Sequence, residues 1–542
     1  MKDFPLGIQN LDEIIKGDYL YVDKTDLLPK LIKVKQVFLS RPRRFGKSLL
    51  LDSLEQMFLG NAELFTGLKI ADSGYEFKKY PVVHLSMTMD CDSPEMLKEM
   101  LIKRLKKIAK SYNIDLREEN PGWALQLLIE ELSEKFGEKV VVLIDEYDNP
   151  VSMHMDDIPL AKANTKVLSS FYIGFKEVDK FLRFVLVTGV TRYAMMGLSS
   201  GLNQLVDISY DTEFAAICGF TPDELDQYFS DRYSATLEDL KSTGYIPPES
   251  SEADLRQKIL DWYDGYTWDG KIRVLNPISI LNFFKKRVFN PYWAATSPSI
   301  GFLSNEIKAN PVLFTNTHLQ GYSYLDISLS TVGNVLPVPL LFHTGYLTLD
   351  KIILVNDKLQ YSFRVPNFEV ETPFYDILNS YLFIEDSVTE AAELNEALTK
   401  REGTLLTKII RRLFARIPAE HYKKNEKLNE SFFHMILMSY FSGLLPDVRS
   451  EPAGSVGDAD LILITAGGLR AVMEIKFAPS AEPVKLEETL DKLANLGLKT
   501  IGKKKYGESD RLKGCDFAVI GVGVVGRGNA KAVFGVPRNA PA

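Results

Sequence analysis

Short apolar runs, each followed by a polar segment and then by a helical pattern, alternate through the first 190 residues. The run 37–39 precedes a basic segment and a stretch whose apolar positions share one helical face. Residues 81–87, 140–144 and 184–187 are further short apolar runs separated by amphipathic stretches. Strands that are apolar on both faces and alternate with helices are typical of a parallel sheet covered by helices on both sides. The pattern therefore predicts a doubly wound α/β domain with its site at the carboxyl ends of the strands.

The pattern changes after about residue 215. Helical periodicity dominates residues 255–290, with an interruption at 263–266, and it returns over 367–445. Short strand-like runs are expected over 338–365 and again over 459–540. From these changes we predict four parts: a nucleotide-binding domain over 1–215, a helical lid over 216–310, a connecting region over 311–425 and a C-terminal α/β domain over 426–542.

Composition adds a charge asymmetry. The 542-residue chain has a net charge of −8, which taken alone argues against a nucleic-acid partner. Residues 401–542, however, contain 22 basic and 16 acidic residues, whereas residues 1–400 contain 42 and 56. An acidic body with a basic C-terminal part leaves room for a polyanionic partner at that end.

Cysteine use and hydropathy point to a cytoplasmic protein. The three cysteines are far apart and form no CxxC pair, which favours buried, reduced thiols over disulfides or a zinc site. The N-terminus lacks the apolar stretch of a signal peptide, and no apolar run approaches 18 residues. We therefore expect no membrane association.

The first candidate site follows the run 37–39 and contains Gly46, Lys47 and Ser48. In a P-loop, G-x-x-x-x-G-K-[ST], backbone N–H groups surround phosphate, the lysine reaches the β- and γ-phosphates and the hydroxyl binds Mg²⁺. The following helix adds the positive end of its dipole. Arg41 stands where the first glycine of the motif is expected. The residues predict an ATP site, and the alternative is a solvated basic turn.

A second strand end supports the ATP site. The strand 140–144 ends in Asp145, predicted to hold Mg²⁺ through water, and Glu146, predicted to polarise the attacking water. Thr188 and Arg192 follow the next strand, where they either sense the γ-phosphate or cap the next turn. We therefore expect ATP and Mg²⁺ as ligands.

A second candidate site lies near the C-terminus. Asp460 begins one apolar strand, and Glu474 and Lys476 lie on the next, with a turn at 467–468 between them. Residues i and i+2 of a strand share a face, so Glu474 and Lys476 point the same way and Ile475 packs behind them. Two carboxylates with phosphate oxygens suit Mg²⁺, and the lysine can orient or deprotonate a water. The alternative is an ordinary solvated strand.

Several motifs together resemble the AAA-ATPase-like family, found in bacterial proteins that also carry a C-terminal PD-(D/E)xK nuclease-like domain. The similarity covers nearly the whole chain. The segments that carry it are 21–25 (YVDKT), 41–48 (RPRRFGKS), 143–148 (LIDEYD), 188–192 (TGVTR), 262–266 (WYDGY), 276–277 (NP), 344–348 (TGYLT) and 366–370 (PNFEV).

The resemblance implies a P-loop ATPase sheet, a helical lid and a restriction-endonuclease-like domain. It adds Arg43 and Arg44 to the nucleotide-binding residues. It also implies a homo-oligomer, because AAA-like proteins often form rings, with Arg43, Arg44 and Arg192 as candidate arginine fingers.

The resemblance places further groups around Glu474. Two more acids are candidates, Glu430 on a helix and Glu451 before the turn at Gly457, against a role in surface solvation. Lysines 503–505 fit a helix position that faces DNA phosphates in this fold, against a solubilising helix end. Lys423, Lys424 and Lys427 extend the same basic surface.

Three functions follow. The first is an ATP-regulated, Mg²⁺-dependent nuclease that uses Asp460, Glu474 and Lys476. The second is a nucleotide-dependent switch that binds nucleic acid or protein through an inactive nuclease fold. It is motivated by Asp458, which stands where the family often has arginine. The third is an ATPase with no role in nucleic-acid biology.

Overall fold

The computed structural model divides the chain into two compact units. The first contains residues 1–299 and 318–370, and the second contains residues 300–317 and 371–542. The structure describes residues 1–191, 204–294, 319–323, 326–327, 337–355, 357–373, 387–417, 430–445, 447–449, 461–465, 467–503, 516–535 and 538–539.

A five-stranded parallel sheet forms the centre of the first unit. Its strands are β1 (Gln36–Ser40), β2 (Val82–Ser86), β3 (Val140–Asp145), β4 (Leu182–Gly189) and β5 (Val206–Asp207). The strand order is β2-β3-β4-β1-β5, so β4 lies between β1 and β3. Every residue of β1 and β3 is buried, as expected for strands covered on both faces. The predicted parallel α/β sheet is confirmed.

Helices cover this sheet, and their caps explain where several begin. Ser93 accepts a hydrogen bond from the Met96 amide, and Asn120 accepts one from the Trp123 amide; proline occupies the first turn of both helices. The helices of this part are α1 (Leu11–Lys16), α2 (Leu28–Leu31), α3 (Lys47–Phe58), α4 (Pro94–Ser111), α5 (Pro121–Phe136), α6 (Asn149–Ser152) and α7 (Ile158–Glu177).

A helical layer follows the sheet in the same unit. It consists of α8 (Pro222–Phe229), α9 (Tyr233–Ser242), α10 (Glu252–Tyr263) and α11 (Pro277–Lys286). Thr221 and Glu224 form a capping box at the start of α8, and Ser251 and Asp254 form one at the start of α10. Leu225, Phe229 and other apolar side chains of these helices share one core cluster.

The region expected to hold short strands over 338–365 begins instead with a helix, α12 (Pro337–Thr344). All of the helix from Val338 to Thr344 is buried, so apolar side chains point in every direction and no helical period is visible in the sequence. The rest of the prediction is correct, since β7 (Thr348–Val355) and β8 (Lys358–Arg364) are strands. They form a sheet with β6 (Leu319–Ser323), a strand that was not predicted, in the order β6-β8-β7.

The second unit combines helices with a mixed sheet. The helices are α13 (Ser387–Thr399), α14 (Gly403–Arg416), α15 (Glu430–Ser442) and α16 (Leu486–Lys503), and the strands are β9 (Asp447–Arg449), β10 (Leu461–Ile464), β11 (Arg470–Ala478), β12 (Asp516–Val525), β13 (Asn529–Phe534) and β14 (Arg538–Asn539).

The sheet order in the second unit is β13-β12-β11-β10-β9, and β14 also pairs with β12. β11 and β12 are parallel, and α16 connects them along the chain; the other pairs are antiparallel. Gly521 permits the close packing of α16 on β12, because a Cβ there would lie 2.0 Å from the Ala494 carbonyl oxygen. The predicted hairpin between β10 and β11 is confirmed.

Short 3₁₀ turns complete the list of elements. They lie at Thr25–Leu27, Ala62–Phe65, Lys69–Ser73, Asp179–Phe181, Thr212–Phe214, Ser230–Arg232 and Pro483–Lys485.

Candidate functional site

The first candidate site begins in the loop between β1 and α3. Arg44 and Gly46 have positive φ angles of 66° and 99°, and α3 begins directly after them at Lys47. Gly46 has no heavy atom within 4 Å of the position a Cβ would take, so its role is conformational rather than steric. Left-handed residues in a loop before a helix N-terminus form the kind of backbone concavity that binds anions.

Lys47 is the first residue of α3, and its side chain contacts this loop. Its Nζ donates hydrogen bonds of 2.9 Å to the carbonyl oxygens of Arg41 and Pro42. Burial lowers the pKa of Lys47, while the nearby charge of Asp145 opposes that change. The lysine is therefore held by neutral acceptors that it can exchange for phosphate oxygens.

The strand ends of β3 and β4 meet the first turn of α3 at Asp145. Ser48 Oγ donates to Asp145 Oδ2 at 2.5 Å, and Thr188 Oγ1 donates to Asp145 Oδ1 at 2.7 Å. A hydroxyl beside one carboxylate, completed by phosphate oxygens and water, is a donor set that suits Mg²⁺. The two predicted metal-binding side chains, Ser48 and Asp145, thus lie together and fit the ion.

Thr188 is fully buried and supports Asp145 directly. The cap on the turn after β4 is instead provided by Asp148, whose carboxylate accepts hydrogen bonds from the amides of Val190 and Thr191 and from the Thr191 hydroxyl. Burial raises the pKa of Asp148, and these hydrogen bonds lower it in part. Arg192, the other residue predicted near the γ-phosphate, lies outside the described residues.

Glu146 follows Asp145 with a φ of 53°, a strained position for a residue other than glycine. Its Oε2 accepts a hydrogen bond of 2.7 Å from Thr88 Oγ1, in the segment after β2. The Thr88 carbonyl in turn accepts one of 2.7 Å from Arg104 on α4. The acid predicted to polarise water is therefore held by an adjacent strand end.

The basic residues of the loop divide into two groups. Arg43 and Arg44 line the cavity described below. Arg41 is 1% exposed, and its guanidinium donates to the carbonyl oxygens of Ser40, Ser209 and Phe214. Burial lowers the pKa of Arg41 to about 10. The alternative of a solvated surface turn is therefore wrong for Arg41, which anchors the loop from below.

Aromatic side chains hold the same loop from beneath. The Arg41 guanidinium stacks over the Trp268 ring at 4.1 Å, and Phe45 makes edge contacts with Tyr266 and Trp268. On another side, Trp293 Nε1 donates to the Arg43 carbonyl at 3.0 Å. The loop shape thus depends on residues more than 200 positions away in the chain.

A cavity of about 620 Å³ opens from the loop. Its lining includes the polar side chains of Lys47, Ser48 and Glu146 and many apolar side chains. The apolar lining includes Ile8, Ile14, Leu20, Tyr21, Leu50, Ile217, Phe220, Pro277, Ile278 and Leu281. A lining of this mixed kind suits a ligand that combines phosphates with a flat, largely apolar ring.

The second candidate site lies on β11. Glu474 is 1% exposed, Ile475 is fully buried, and Lys476 is partly exposed. Lys476 Nζ lies 3.1 Å from Glu474 Oε1 and 2.9 Å from Glu430 Oε1 on α15. The structure therefore brings together Glu474, Lys476 and Glu430, the acid for which surface solvation was the alternative.

Burial lowers the pKa of Lys476, but the ion pairs with Glu430 and Glu474 outweigh the effect of burial, so the pKa is raised overall.

Several residues predicted for this site lie outside the described residues: Asp460, Asp458, Glu451 and lysines 423, 424, 427, 504 and 505. Lys503 is the last residue of α16. Among the described residues, no three His, Cys, Asp or Glu side chains cluster as a metal site.

Comparison with known proteins gives a family match for the N-terminal part of the chain and a relative that matches nearly all of it. Residues 5–199 match the family described as a predicted AAA-ATPase. Over 534 residues the chain is 32% identical to "Uncharacterized protein in vnfD 5'region" of Azotobacter chroococcum mcd 1, and the match covers 96% of each protein. The chain belongs to the AAA-ATPase-like family. No solved structure matches it.

Within this AAA-ATPase-like protein, two contacts of the site were not predicted from the sequence. Thr88, which donates to Glu146, lies beyond a strand end with no motif around it. Trp293, which donates to the loop, lies outside all of the family segments. No helix in the described part of the chain is long and apolar enough to cross a membrane.

Proposed function

We propose that this AAA-ATPase-like protein binds and hydrolyses ATP in its first unit and cleaves nucleic-acid phosphodiester bonds in its second unit under the control of ATP. The observation that carries the ATP site is the contact of Ser48 with Asp145 beside Lys47, where Lys47 and Ser48 line the cavity. Two side chains from the first turn of α3 and one from the end of β3 then converge where phosphates would lie.

For hydrolysis, Lys47 leaves the carbonyl oxygens of Arg41 and Pro42 and pairs with phosphate oxygens. Glu146 orients a water toward the γ-phosphorus. The water oxygen bonds to the γ-phosphorus, the bond from that phosphorus to the β,γ-bridging oxygen breaks, and ADP leaves with the electron pair while one water proton is released to solvent. Mg²⁺ held by Ser48 and Asp145 would neutralise part of the phosphate charge.

For the second unit, support comes from the Lys476 amine, which lies 3.1 Å from Glu474 Oε1 and 2.9 Å from Glu430 Oε1. A water activated beside Lys476 attacks phosphorus, and one ester P–O bond breaks to give an alcohol and a phosphate monoester. In this proposal Asp460, Glu474 and Lys476 are the catalytic residues, and Asp460 and Glu474 are the metal ligands. The basic excess after residue 400 favours a polyanionic substrate.

The test is a cleavage panel of single- and double-stranded DNA and RNA, with and without ATP and Mg²⁺. Lys47→Ala is expected to lose ATP binding, and Glu474→Ala is expected to lose cleavage while keeping ATP hydrolysis. Matched controls are Lys103→Ala on α4 and Glu482→Ala, both at exposed positions. Cleavage that persists in Glu474→Ala would exclude this site as the nuclease centre.

The second candidate function is a nucleotide-dependent switch whose C-terminal part binds nucleic acid or protein without cutting. Asp458, a negative charge close in sequence to Asp460, favours it. The same panel distinguishes it: ATP-dependent binding with no cleavage of any substrate under Mg²⁺ or Mn²⁺ supports the switch. An ATPase without nucleic-acid binding at low salt supports the third function.

A further inference from the structure

Three consecutive carbonyl groups of the P-loop are held by side-chain donors. Lys47 Nζ donates to those of Arg41 and Pro42, and Trp293 Nε1 donates to that of Arg43. If Lys47 turns to phosphate, as the proposed ATP binding requires, the first two carbonyls lose their donor. The hydrogen bond from Trp293 to the Arg43 carbonyl remains, so Trp293 moves with any shift of the loop.

Trp293 is connected in turn to a buried carboxyl group. Its backbone amide donates to Glu369 Oε1 at 2.7 Å, and Ser279 Oγ on α11 lies 2.8 Å from both Glu369 oxygens. Glu369 is fully buried, and none of the contacts described for its carboxyl group involves a lysine or arginine. Pro277 and Ile278, at the start of the same helix, line the cavity, and so does Trp293. Glu369 therefore links two segments that line the cavity.

The segment around Glu369 is fixed to the first unit by close backbone contacts. Asn367 Nδ2 donates to the Asp264 carbonyl at 2.8 Å. Gly265, with a φ of 108°, leaves room for the Pro366 carbonyl, which lies 2.3 Å from the position of an added Cβ. The segments 262–266 and 366–370, which the sequence analysis singled out without a role, therefore pack on each other. Val370 is the last residue of the first unit.

We propose that Glu369 is a positioning residue that transmits nucleotide occupancy from the P-loop, through Trp293, to the segment 366–370 where the chain leaves the first unit. The proposal rests on ATP binding at Lys47 and adds a regulatory output to it. By linkage, disruption of Glu369 must also change the affinity for ATP. Proximity alone does not demonstrate such a path, so the coupling between ATP binding and Glu369 has to be measured.

Hydrogen–deuterium exchange of the full chain, with and without Mg·ATP, measures this output. In the wild type, ATP is expected to change the exchange rate of peptides covering 366–370 by about threefold to tenfold, the range produced by loss or gain of one hydrogen bond. Trp293→Phe keeps an aromatic ring but lacks the N–H group, and should abolish that change. ATP is held well above the Kd measured for each variant, so occupancy is equal.

Two further variants serve as controls, and two disrupt the contact of Glu369. Trp123→Phe makes the same chemical change at an exposed position and should retain the ATP response. Glu369→Gln preserves an acceptor for Trp293 and a group for Ser279, and should retain it as well, whereas Glu369→Ala should lose it. Ser279→Ala provides a milder disruption that tests the same link if Glu369→Ala does not fold.

A double-mutant cycle of Trp293→Phe and Glu369→Ala on ATP affinity should give non-additive effects. Wild-type protein that binds ATP but shows no change over 366–370 would overturn the inference and leave the ATP site intact. The same holds if Trp293→Phe keeps the full response, or if the cycle is additive. Absence of ATP binding in the wild type would overturn the proposed function itself.

Discussion

The buried carboxyl group of Glu369 allows a quantitative test of the first unit. We expect Glu369→Gln to stabilise this unit at neutral and alkaline pH. Glutamine has nearly the shape of a protonated glutamate: its carbonyl can accept from the Trp293 amide, and its NH₂ group can donate to Ser279. The substitution therefore keeps the contacts and removes only the ability to ionise.

The size of the effect follows from the pKa. Burial raises the pKa of Glu369 from 4.5 to about 8, and the hydrogen bonds from Trp293 and Ser279 reduce that shift in part. Below pH 4.5 the carboxyl is protonated in both the folded and the unfolded chain, so wild type and variant should be equally stable. Between pH 4.5 and 8 only the unfolded chain loses the proton, so folding becomes less favourable for the wild type. At 1.36 kcal/mol per pH unit, the difference is about 3 kcal/mol at pH 7 and about 5 kcal/mol at pH 9.

Urea unfolding followed by tryptophan fluorescence measures this difference, with wild type and variant compared from pH 4 to pH 9. All four tryptophans (Trp123, Trp262, Trp268 and Trp293) belong to the first unit, so the signal reports its unfolding alone. The titratable side chains whose pKa values Glu369 influences are Tyr263, Tyr266 and Tyr292, all of which have raised pKa values and stay neutral over this range.

Glu131→Gln, at an exposed position on α5, is the matched control and should show no pH-dependent gain. A stability difference between Glu369→Gln and wild type that is the same at pH 4 and pH 9 would refute the reasoning. So would a loss of stability at pH 9, since that result would require an ionised, stabilising carboxylate in the folded unit.

Three further predictions test other contacts. Arg41→Gly restores the first glycine of the P-loop motif but should destabilise the first unit by ~3 kcal/mol or more in urea unfolding, because three buried carbonyl groups lose a charged donor. Thr88→Val frees Glu146 and should raise basal ATP hydrolysis by up to about tenfold in a phosphate-release assay; an unchanged rate would contradict a restraining role. Glu430→Gln removes one of the ion pairs that raise the pKa of Lys476, so acylation of this lysine, followed by mass spectrometry, should begin at lower pH than in wild type.

Much of the fold was predictable because each central strand can be recognised from its own run of apolar residues. The runs 140–144 and 184–187 are apolar on both faces, which is typical of a buried parallel strand, and each ends in polar residues that the sheet brings to one edge. Asp145 and Ser48 lie close together because β3 ends at that edge and α3, which follows β1, begins there. The same local rule placed Glu474 and Lys476 on one face of β11.

The contacts that shape the site were not predictable, because a local pattern does not reveal a distant partner. Residues 337–344 form a helix buried on all sides, which looks like a run of strand in the sequence. The burial of Arg41 was not predictable, since its carbonyl acceptors on Ser209 and Phe214 come close only after folding. The roles of Thr88 and Trp293 likewise depend on neighbours that are distant in the chain.

Contacts with residues that are distant in the chain explain how the loop keeps its shape without the first glycine of the P-loop motif. A glycine-rich loop can adopt its shape through backbone freedom alone, at an entropic cost on folding. Here Arg41 and Phe45 are fixed from below by Trp268 and Tyr266, and the Arg43 carbonyl is fixed from the side by Trp293. The conformation is therefore prepared by packing before a ligand binds, which reduces the ordering cost of binding. It also makes the loop sensitive to the segment 266–293, which supplies those aromatic side chains, so the shape of the loop is coupled to that segment.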